Sequence, residues 1–218
     1  GIKKTPRVVI INEQLAMNNP TEIIKSEIVL ENQQALLKPL SLDFLDELSE
    51  IALDKSLWAL EMSRIENRTD LKNYIQKALK ERSAGQSYPF VIFDKLKNRC
   101  AGSTRYGNIS MENRRVEIGW TWIGKDFQGT GLNKACKFEL LKFAFEKLEC
   151  NRVELKTDAL NHQSRKAMEK IGASFEGLLR SHQITSTGRI RDSVYYSIIA
   201  SEWPEIKAAL FFEFVKVL

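Results

Sequence analysis

The feature that most restricts the fold is a strand–helix–strand order between Glu117 and Asp158. Strand patterns cover residues 116–123 and 153–157, and between them apolar residues recur at helical spacing over residues 132–148. A connection that contains a helix places its two strands parallel in one sheet, with a right-handed crossover. The segment therefore predicts a βαβ unit in the middle of the chain.

The strands ahead of this unit are predicted to be antiparallel. Strand signals cover residues 88–93 and 101–109, and the turn residues Asn98, Asn108 and Asn113 separate successive strands. Since these gaps leave no room for crossover helices, neighbouring strands must run antiparallel. The sequence thus predicts an α/β fold with a mixed sheet, antiparallel at first, with one parallel crossover and a cover of helices.

Further elements are predicted on both sides of this region. Residues 28–30 and 35–38 indicate a strand or a hairpin. Helical patterns cover 42–51, 69–82, 161–172 and the residues after 201, and strand patterns cover 175–185 and 190–200. Residues 1–26 show no sustained period, so we interpret them as an N-terminal arm that precedes a single domain of residues 27–218.

Charge and cysteine content limit the classes of function. The 218-residue chain has a formal net charge of +5, but its charges of both signs are interspersed. This favours a solvated mixed-charge surface over a nucleic-acid face. The three cysteines Cys100, Cys136 and Cys150 are widely spaced, which argues against a disulfide framework and a metal site. Since no apolar run suits a signal peptide or a membrane span, we expect a cytoplasmic protein without a membrane partner.

The turn from Gln128 to Asn133 is the strongest candidate for a binding site. It joins the strand 116–123 to the long helix, whose first N–H groups lack partners within the helix. These groups and the positive end of the helix dipole favour an anion, and glycines let a phosphate approach the backbone. The turn lacks the Gly-Lys-Ser/Thr of a P-loop, and Lys134 replaces the third glycine of a dinucleotide-binding fingerprint. Taken alone, Gly-x-Gly also fits a plain strand-to-helix turn.

Three motifs follow one another in the order of a known family. The first is Gln128-x-x-Gly131-x-Asn133. The second is Asn161-x-x-Ser164-x-x-Ala167-x-x-Lys170-x-Gly172-Ala173-x-x-Glu176-Gly177. The third is Arg180-x-His182 with Arg191-Asp192-Ser193-Val194-Tyr195-Tyr196-Ser197. Together they resemble the GNAT N-acetyltransferases of the RimJ/RimL type, which acetylate protein N-termini; Asn133 departs from the family's usual Gly or Ala.

The resemblance implies the GNAT fold and acetyl-CoA as a substrate. That fold has a mixed central sheet of about seven strands, a V-shaped cofactor cleft where the two parallel strands splay, and helices on both faces. By resemblance, the backbone of Trp122 and Ile123 would pair with the pantetheine arm, although Trp122 is equally compatible with a core position. Asn161 would hydrogen-bond to the cofactor. The pyrophosphate would be held by Gly129, Gly131, Leu132 and Asn133, and Gln128 and Thr130 of the same turn would also bind the cofactor.

Glu117 is the predicted general base. Val116, Ile118 and Trp120 are predicted to alternate to one face of their strand, which leaves Glu117 on the other face. The resemblance implies a carboxylate at this strand position that removes a proton from the amine, often through a water. A strand glutamate in a surface ion pair is the alternative interpretation.

Ser164 is predicted, by resemblance, to protonate the thiolate of coenzyme A as it leaves. Asn161 and Ser164 project from nearly the same face of a helix. Both are also ordinary residues for a helix cap, which is the alternative interpretation. Tyr195 or Tyr196 is a second candidate for the proton donor.

Several other residues receive weaker assignments. Trp58, Tyr88 and Arg180 are placed on the acceptor side from the family's layout. Lys134 and Lys137 follow the turn from Gln128 to Asn133, which we call the phosphate turn. They either attract the nucleotide phosphates or are simply solvated.

The predicted activity is transfer of an acetyl group to a primary amine by direct attack in a ternary complex. No cysteine falls at a motif position, which disfavours a covalent acyl-cysteine. The acceptor is either a protein N-terminus or a small amine, and the resemblance adds a homodimer as an expectation. A non-catalytic module that binds coenzyme A and a ribosome- or RNA-associated protein are the alternatives.

Overall fold

The computed structural model describes residues 19–215, and its centre is one mixed sheet of eight strands. The strands are β1 (Leu30–Glu31), β2 (Ala35–Pro39), β3 (Tyr88–Asp94), β4 (Arg99–Ser110), β5 (Arg115–Ile123), β6 (Arg152–Asp158), β7 (Ser174–Ile184) and β8 (Ile190–Ile199). They lie in the order β1-β2-β3-β4-β5-β6-β8-β7. The predicted strand or hairpin at residues 28–38 forms the two strands β1 and β2, which makes eight strands rather than about seven.

The helices of the described residues pack against this sheet. They are α1 (Pro20–Ile23), α2 (Leu45–Ala52), α3 (Arg68–Ser83), α4 (Leu132–Glu146), α5 (His162–Lys170) and α6 (Trp203–Leu210). Short 3-10 turns occur at Leu42–Phe44, Lys55–Trp58, Lys125–Phe127 and Phe212–Phe214. Most of the predicted arm, residues 1–18, lies outside the described residues; the remainder contains α1, and Ile24 after it packs in the core.

Two hydrophobic clusters cover opposite faces of the sheet. On β3, Phe90 and Ile92 belong to one cluster and Val91 between them belongs to the other, as the alternation of a strand requires. The first cluster contains the buried face of α4, and the second contains the buried faces of α2 and α3. We call these the α4 face and the α2/α3 face. Helices therefore lie on both faces, as predicted.

The predicted βαβ crossover is confirmed. β5 and β6 are parallel, α4 connects them, and every other pair of neighbouring strands in the sheet is antiparallel. Because β6 and β8 are antiparallel, the carboxyl ends of β5 and β6 and the start of β8 meet at one edge of the sheet. The crossover thus brings the phosphate turn, α5 and the β7–β8 hairpin together.

Candidate active site

The two parallel strands separate and leave a cleft between them. Arg115–Glu117 pairs with Arg152–Glu154, but residues 118–123 of β5 and 155–158 of β6 do not pair with each other. A cavity of about 730 Å³ occupies this opening. Seven of the predicted site residues line it: Trp122, Ile123, Gln128, Gly129, Asn133, Asn161 and Ser164. The predicted V-shaped opening is therefore present.

A β-bulge at Trp120 shapes the inner end of the cleft. Trp120 has a φ of 50°, and the register with β4 shifts so that β5 carries one extra residue there. The predicted alternation that grouped Trp120 with Ile118 is therefore wrong. Ile118 and Ile123 both lie on the α4 face, while the Trp120 ring covers Gly107, where an added Cβ would lie 2.0 Å from the ring.

Glu117 is buried just behind the wall of this cleft. Its side chain is 3% exposed, so it is not the surface glutamate of the alternative interpretation. Oε2 accepts a hydrogen bond of 2.7 Å from Asn108 Nδ2 and lies 3.4 Å from Lys156 Nζ. Lys156 and the neighbouring Gly119 line the cavity, whereas Glu117 itself does not. A proton from the cavity would therefore reach this carboxylate through an intervening group or a water.

The turn before α4 presents unused backbone donors. Gly129 and Gly131 have φ values of 73° and 91°, which favour glycine, and Gly131 is an N-cap without a side-chain hydrogen bond. Within residues 19–215, the amide N–H groups of Gly129, Gly131 and Asn133 have no hydrogen-bond acceptor. Three donors at the start of a helix form an anion site of the predicted kind.

The side chains of this turn brace it from within. Gln128 Nε2 donates to the Ile123 carbonyl oxygen at 2.9 Å, and Thr130 Oγ1 donates to the Phe127 carbonyl oxygen at 2.7 Å. Leu132 is fully buried in the core. Thr130, Gly131 and Leu132 do not line the cavity. Of the six predicted cofactor-binding residues in this turn, Gln128, Gly129 and Asn133 line the cavity.

Lys137 lies in the floor of the cleft, whereas Lys134 does not line it. Lys134 is half-exposed and pairs with Glu213, but Lys137 is only 8% exposed and lines the cavity. Lys137 Nζ donates to Thr121 Oγ1 at 3.0 Å, and within residues 19–215 it forms no ion pair. Burial lowers the pKa of Lys137 to about 8. The idea that Lys137 is simply solvated is wrong.

The wall of the cavity is strongly basic. The basic lining residues are Lys125, Lys137, Lys156, Lys166, Lys170 and Arg191, and Glu61 is the acidic one. Opposite charge draws an anionic ligand into such a cleft. The arrangement of amides and cations therefore suits a ligand that carries phosphates.

A comparison with family models identifies this architecture. The model described as acetyltransferase (GNAT) domain matches residues 34–174. The chain belongs to the GNAT acetyltransferase family. The predicted resemblance is thereby confirmed, and the match includes β2 to β6, the phosphate turn, α4 and α5.

Relatives of this GNAT chain bear related names. It is 41% identical over 96 residues to the "Putative ribosomal N-acetyltransferase YdaF" of Bacillus subtilis (strain 168), a match that covers 44% of this chain and 51% of that protein. The chain thus spans about half the length of this curated relative. The similarity agrees with the predicted likeness to the RimJ/RimL type.

Solved structures share the fold. A GCN5-related N-acetyltransferase from Brucella melitensis is 25% identical, with a TM-score of 0.81 over 87% of this chain and 86% of that one. Mycobacterium smegmatis RimJ, solved in complex with CoA-disulfide, is 22% identical, with a TM-score of 0.70 over 84% of this chain and 93% of that one. The sheet and cleft are therefore those of a GNAT domain.

Asn161 and Ser164 combine capping with a place on the cavity wall. Asn161 Oδ1 accepts a hydrogen bond of 3.0 Å from the Ser164 backbone N–H and so caps α5. The amide Nδ2 of Asn161 and the hydroxyl of Ser164 form no hydrogen bond within the described part of the chain. Both groups are therefore available to a ligand.

The alternative tyrosine donors lie elsewhere in this GNAT domain. The Tyr196 hydroxyl donates to Glu169 Oε1 at 3.0 Å and accepts from Arg165 Nε at 3.3 Å. Tyr195 contacts Lys156, whose Nζ lies 5.6 Å from the centre of its ring. Neither tyrosine lines the cavity, whereas Ser164 does.

The predicted acceptor-side residues are not in the cavity wall. Trp58 donates to the Ala52 carbonyl oxygen within the α2/α3 core, Tyr88 is buried on the α4 face, and Arg180 is exposed on β7. Other residues line the cavity without having been predicted, and they include Ser56, Leu57, Ala59, Leu60, Glu61, Trp120, Lys156 and Arg191. Alternation along β6 and β8 could have placed Lys156 and Arg191 on one face of the sheet. No motif marks residues 56–61 as part of the site.

Between residues 19 and 215, no helix has both the length and the apolar composition needed to cross a bilayer. In the same range, no group of three or more His, Cys, Asp and Glu side chains is arranged to hold a metal ion.

Proposed function

We propose that this chain transfers the acetyl group of acetyl-CoA to a primary amine by direct attack in a ternary complex. The observation that carries the proposal is the cleft between β5 and β6, with the unpaired amides of Gly129 and Asn133 at its mouth and that of Gly131 in the same turn. A diphosphate fits those amides, and an extended thioester arm fits beside residues 118–123, which have no strand partner on the β6 side. The basic wall supplies the opposite charge.

The cysteines support direct attack rather than a covalent acyl-enzyme. Cys100, Cys136 and Cys150 are all buried, and burial raises the pKa of each thiol to about 12. Since the thiolate is the nucleophilic form, none of the three is activated at neutral pH. The amine itself is then the nucleophile.

The proposed mechanism removes two protons from the amine and delivers one proton to the thiolate. Glu117 accepts a proton from the amine through a water beside Gly119 and Lys156, and the neutral amine attacks the thioester carbonyl. The tetrahedral intermediate collapses as the C–S bond breaks, and the Ser164 hydroxyl donates a proton to the leaving thiolate. The second proton of the attacking nitrogen passes through a water to Ser164 and restores its hydroxyl, which leaves a neutral amide. Asn161 Nδ2 holds the arm near Ser164. The backbones of Trp122 and Ile123 align the arm, and Gly129, Gly131 and Asn133 bind the diphosphate.

The setting of this reaction is part of the proposal. We infer one catalytic domain of residues 27–218 and a reducing compartment such as the cytoplasm, which suits three unpaired buried thiols. The relative named as a ribosomal N-acetyltransferase supports a protein N-terminus as one acceptor, and a small amine is the other. A homodimer remains an expectation from the family.

Calorimetry and a free-thiol assay with acetyl-CoA test this function. We expect saturable uptake of acetyl-CoA and release of coenzyme A with at least one amine from a panel of peptides and small amines. Uptake without thiol release from any acceptor would favour a binding module. An absence of uptake would contradict the proposal, and salt-dependent RNA binding in that case would favour the RNA-associated alternative.

The diphosphate turn makes a specific prediction for Gly129→Ala. Gly129 has a positive φ, and its added Cβ would stand at the mouth of the cavity, where the diphosphate must approach the backbone. We expect the Kd of acetyl-CoA to rise about 10-fold, measured by calorimetry.

Gly188→Ala is the matched control for this substitution. Gly188 has a φ of 82°, its added Cβ would also meet no atom within 4 Å, and it lies in the β7–β8 turn outside the cavity. Both variants should lose roughly 1 kcal/mol of stability from backbone strain. An equal rise in Kd for both would show that the effect is not local to the turn.

A further inference from the structure

A guanidinium group in the wall of the cleft has no hydrogen-bond partner. Arg191 lines the cavity, yet its side chain is only 5% exposed. Within the described residues this side chain donates no hydrogen bond, and its Nε is buried without an acceptor. An arginine carries five N–H donors, and burying donors that form no hydrogen bond is costly even where a carboxylate lies at ion-pair distance. The site is therefore complete only when an acceptor group enters the cavity.

The carboxylates near Arg191 do not meet this need. Asp158 Oδ2 lies 4.0 Å from Arg191 Nε, which is too long for a hydrogen bond. That oxygen already accepts from Arg189, and Oδ1 accepts from the Leu160 N–H at 3.0 Å. Glu61 also lines the cavity, where burial raises its pKa and the charge of Arg191 lowers it, but within the described residues no hydrogen bond or ion pair joins Glu61 to Arg191. The donors of Arg191 thus remain available.

The strand faces place Arg191 on the side of the predicted acceptor. Val194 and Tyr196 of β8 lie on the α4 face, so Arg191 lies on the α2/α3 face by alternation. Lys156 lies on that same face of β6, since its neighbour Leu155 is in the α4-face cluster. Arg191 therefore shares a face with the ion pair of Lys156 and Glu117, rather than with the helix that begins at the phosphate turn.

We propose that Arg191 binds a carboxylate of the acceptor, so that the acceptor is an amino acid or a similar small amine that carries a carboxylate. This inference rests on the proposed acetyl transfer and narrows its acceptor. A guanidinium and a carboxylate match through two parallel N–H···O bonds, which fix the orientation of the bound molecule. Leu57, Leu60 and Trp120 line the same wall and suit an apolar side chain.

The charges on the acceptor face disfavour a polycationic acceptor. Lys156 and Arg191 both lie on this face, so a polyamine would meet repulsion there. An amino acid is neutral overall, and it brings the carboxylate that the guanidinium lacks. The favoured acceptor is thus a zwitterion with an apolar side chain.

Matched acceptors test this inference on the native chain. We expect kcat/KM with acetyl-CoA to be about 100-fold higher for apolar α-amino acids than for their α-carboxamides. The α-amine of a carboxamide is less basic than that of the amino acid, so a larger fraction of it is unprotonated and able to attack at neutral pH. A preference for the amino acid must therefore come from binding of its carboxylate. Equal or better use of the amides, or of peptides with an amidated C-terminus, would overturn the inference.

Arg191→Gln tests the residue itself. We expect this variant to lose the preference for acid over amide through a higher KM for the amino acid, while the Kd of acetyl-CoA stays unchanged. Arg114→Gln is the control, because Arg114 is exposed in the turn between β4 and β5 outside the cavity, and the acid preference of this variant should remain. A raised Kd for acetyl-CoA in Arg191→Gln with an unchanged KM for the amino acid would assign Arg191 to the nucleotide and overturn the inference.

An incorrect role for Arg191 and an incorrect assignment of acetyl transfer would give different experimental results. If acetyl-CoA binds and only acceptors without a carboxylate are acetylated, acetyl transfer stands and the role of Arg191 is wrong. If acetyl-CoA is not bound, acetyl transfer itself is wrong. Should Arg191→Gln not fold, the comparison of acids and amides on the native chain still decides.

Discussion

Replacing Glu117 with glutamine should lower kcat by about 100-fold to 1000-fold while leaving the Kd of acetyl-CoA unchanged. The introduced amide cannot accept a proton, and positioned acid–base groups contribute rate factors of this size. Glutamine retains an oxygen that accepts from Asn108 Nδ2, so the local packing is kept. The loss should be largest for the most basic amines, because these need a base to become nucleophilic. Steady-state kinetics with acceptors of graded basicity measure this result.

Glu154→Gln is the matched control for that substitution. Glu154 lies opposite Glu117 in the register of β5 and β6, and it is also buried. It accepts from Arg115 and Arg152 and does not line the cavity, so its loss should affect stability but not the dependence on acceptor basicity. Equal losses of kcat in both variants would indicate that Glu117 acts through structure. Unchanged turnover in Glu117→Gln would assign the base to another group.

The parts of the site that follow local rules were predictable. The change of apolar period between β5 and α4 fixes the crossover, and the glycines of the intervening turn fix the position of the unpaired amides. Parallel pairing then places the start of α5 beside that turn. Gln128, Gly129, Asn133, Asn161 and Ser164 consequently meet in one cavity.

The bulge at Trp120 could not be read from the sequence. A positive φ is uncommon for a large residue, so nothing in the strand marks the extra residue. The conformation is held across strands, since the ring occupies the space over Gly107 and lies 5.2 Å from the Arg105 guanidinium. Contacts between residues far apart in the chain decide it.

The burial of Lys137 and Arg191 escaped prediction for a related reason. A lysine in a charged helix is ordinarily solvated, and an arginine near a hairpin turn is ordinarily exposed. Both are buried here in the wall of the cleft that opens between β5 and β6. That wall combines residues from distant parts of the chain, including residues 56–61 and the bulge at Trp120, which no local pattern reports.

Lys137→Met should stabilise the free protein at neutral pH by about 2 kcal/mol and weaken the binding of acetyl-CoA. A pKa of about 8 in place of 10.5 corresponds to about 3 kcal/mol of destabilisation by the buried ammonium, and loss of the hydrogen bond to Thr121 returns roughly 1 kcal/mol. Methionine fills the same space without a charge. Weaker binding is expected because the ammonium donors in the cavity are lost. Denaturant unfolding and calorimetry measure the two effects.

The pH dependence of this gain separates burial of charge from packing. Above pH 8 the folded protein loses the Lys137 proton while the unfolded chain keeps it up to about pH 10.5, so the stability of the native protein rises with pH over this interval relative to the variant. The advantage of Lys137→Met should thus be complete well below pH 8 and should disappear near about pH 9.5. Above about pH 10.5 it should become a disadvantage of about 1 kcal/mol, because the total change of about 3 kcal/mol exceeds the initial gain of about 2 kcal/mol. Cys100 and Cys150 titrate alike in both proteins and cancel in the difference, but Cys136 does not, because the charge of Lys137 lowers the pKa of its thiol. Both proteins are therefore compared in a Cys136→Ala background. Lys134→Met, on the exposed side of the same helix, is the control for loss of a lysine outside the cavity. A gain that is independent of pH would mean that methionine merely packs better, and a loss of stability at pH 7 would mean that the ammonium has a partner in the free protein.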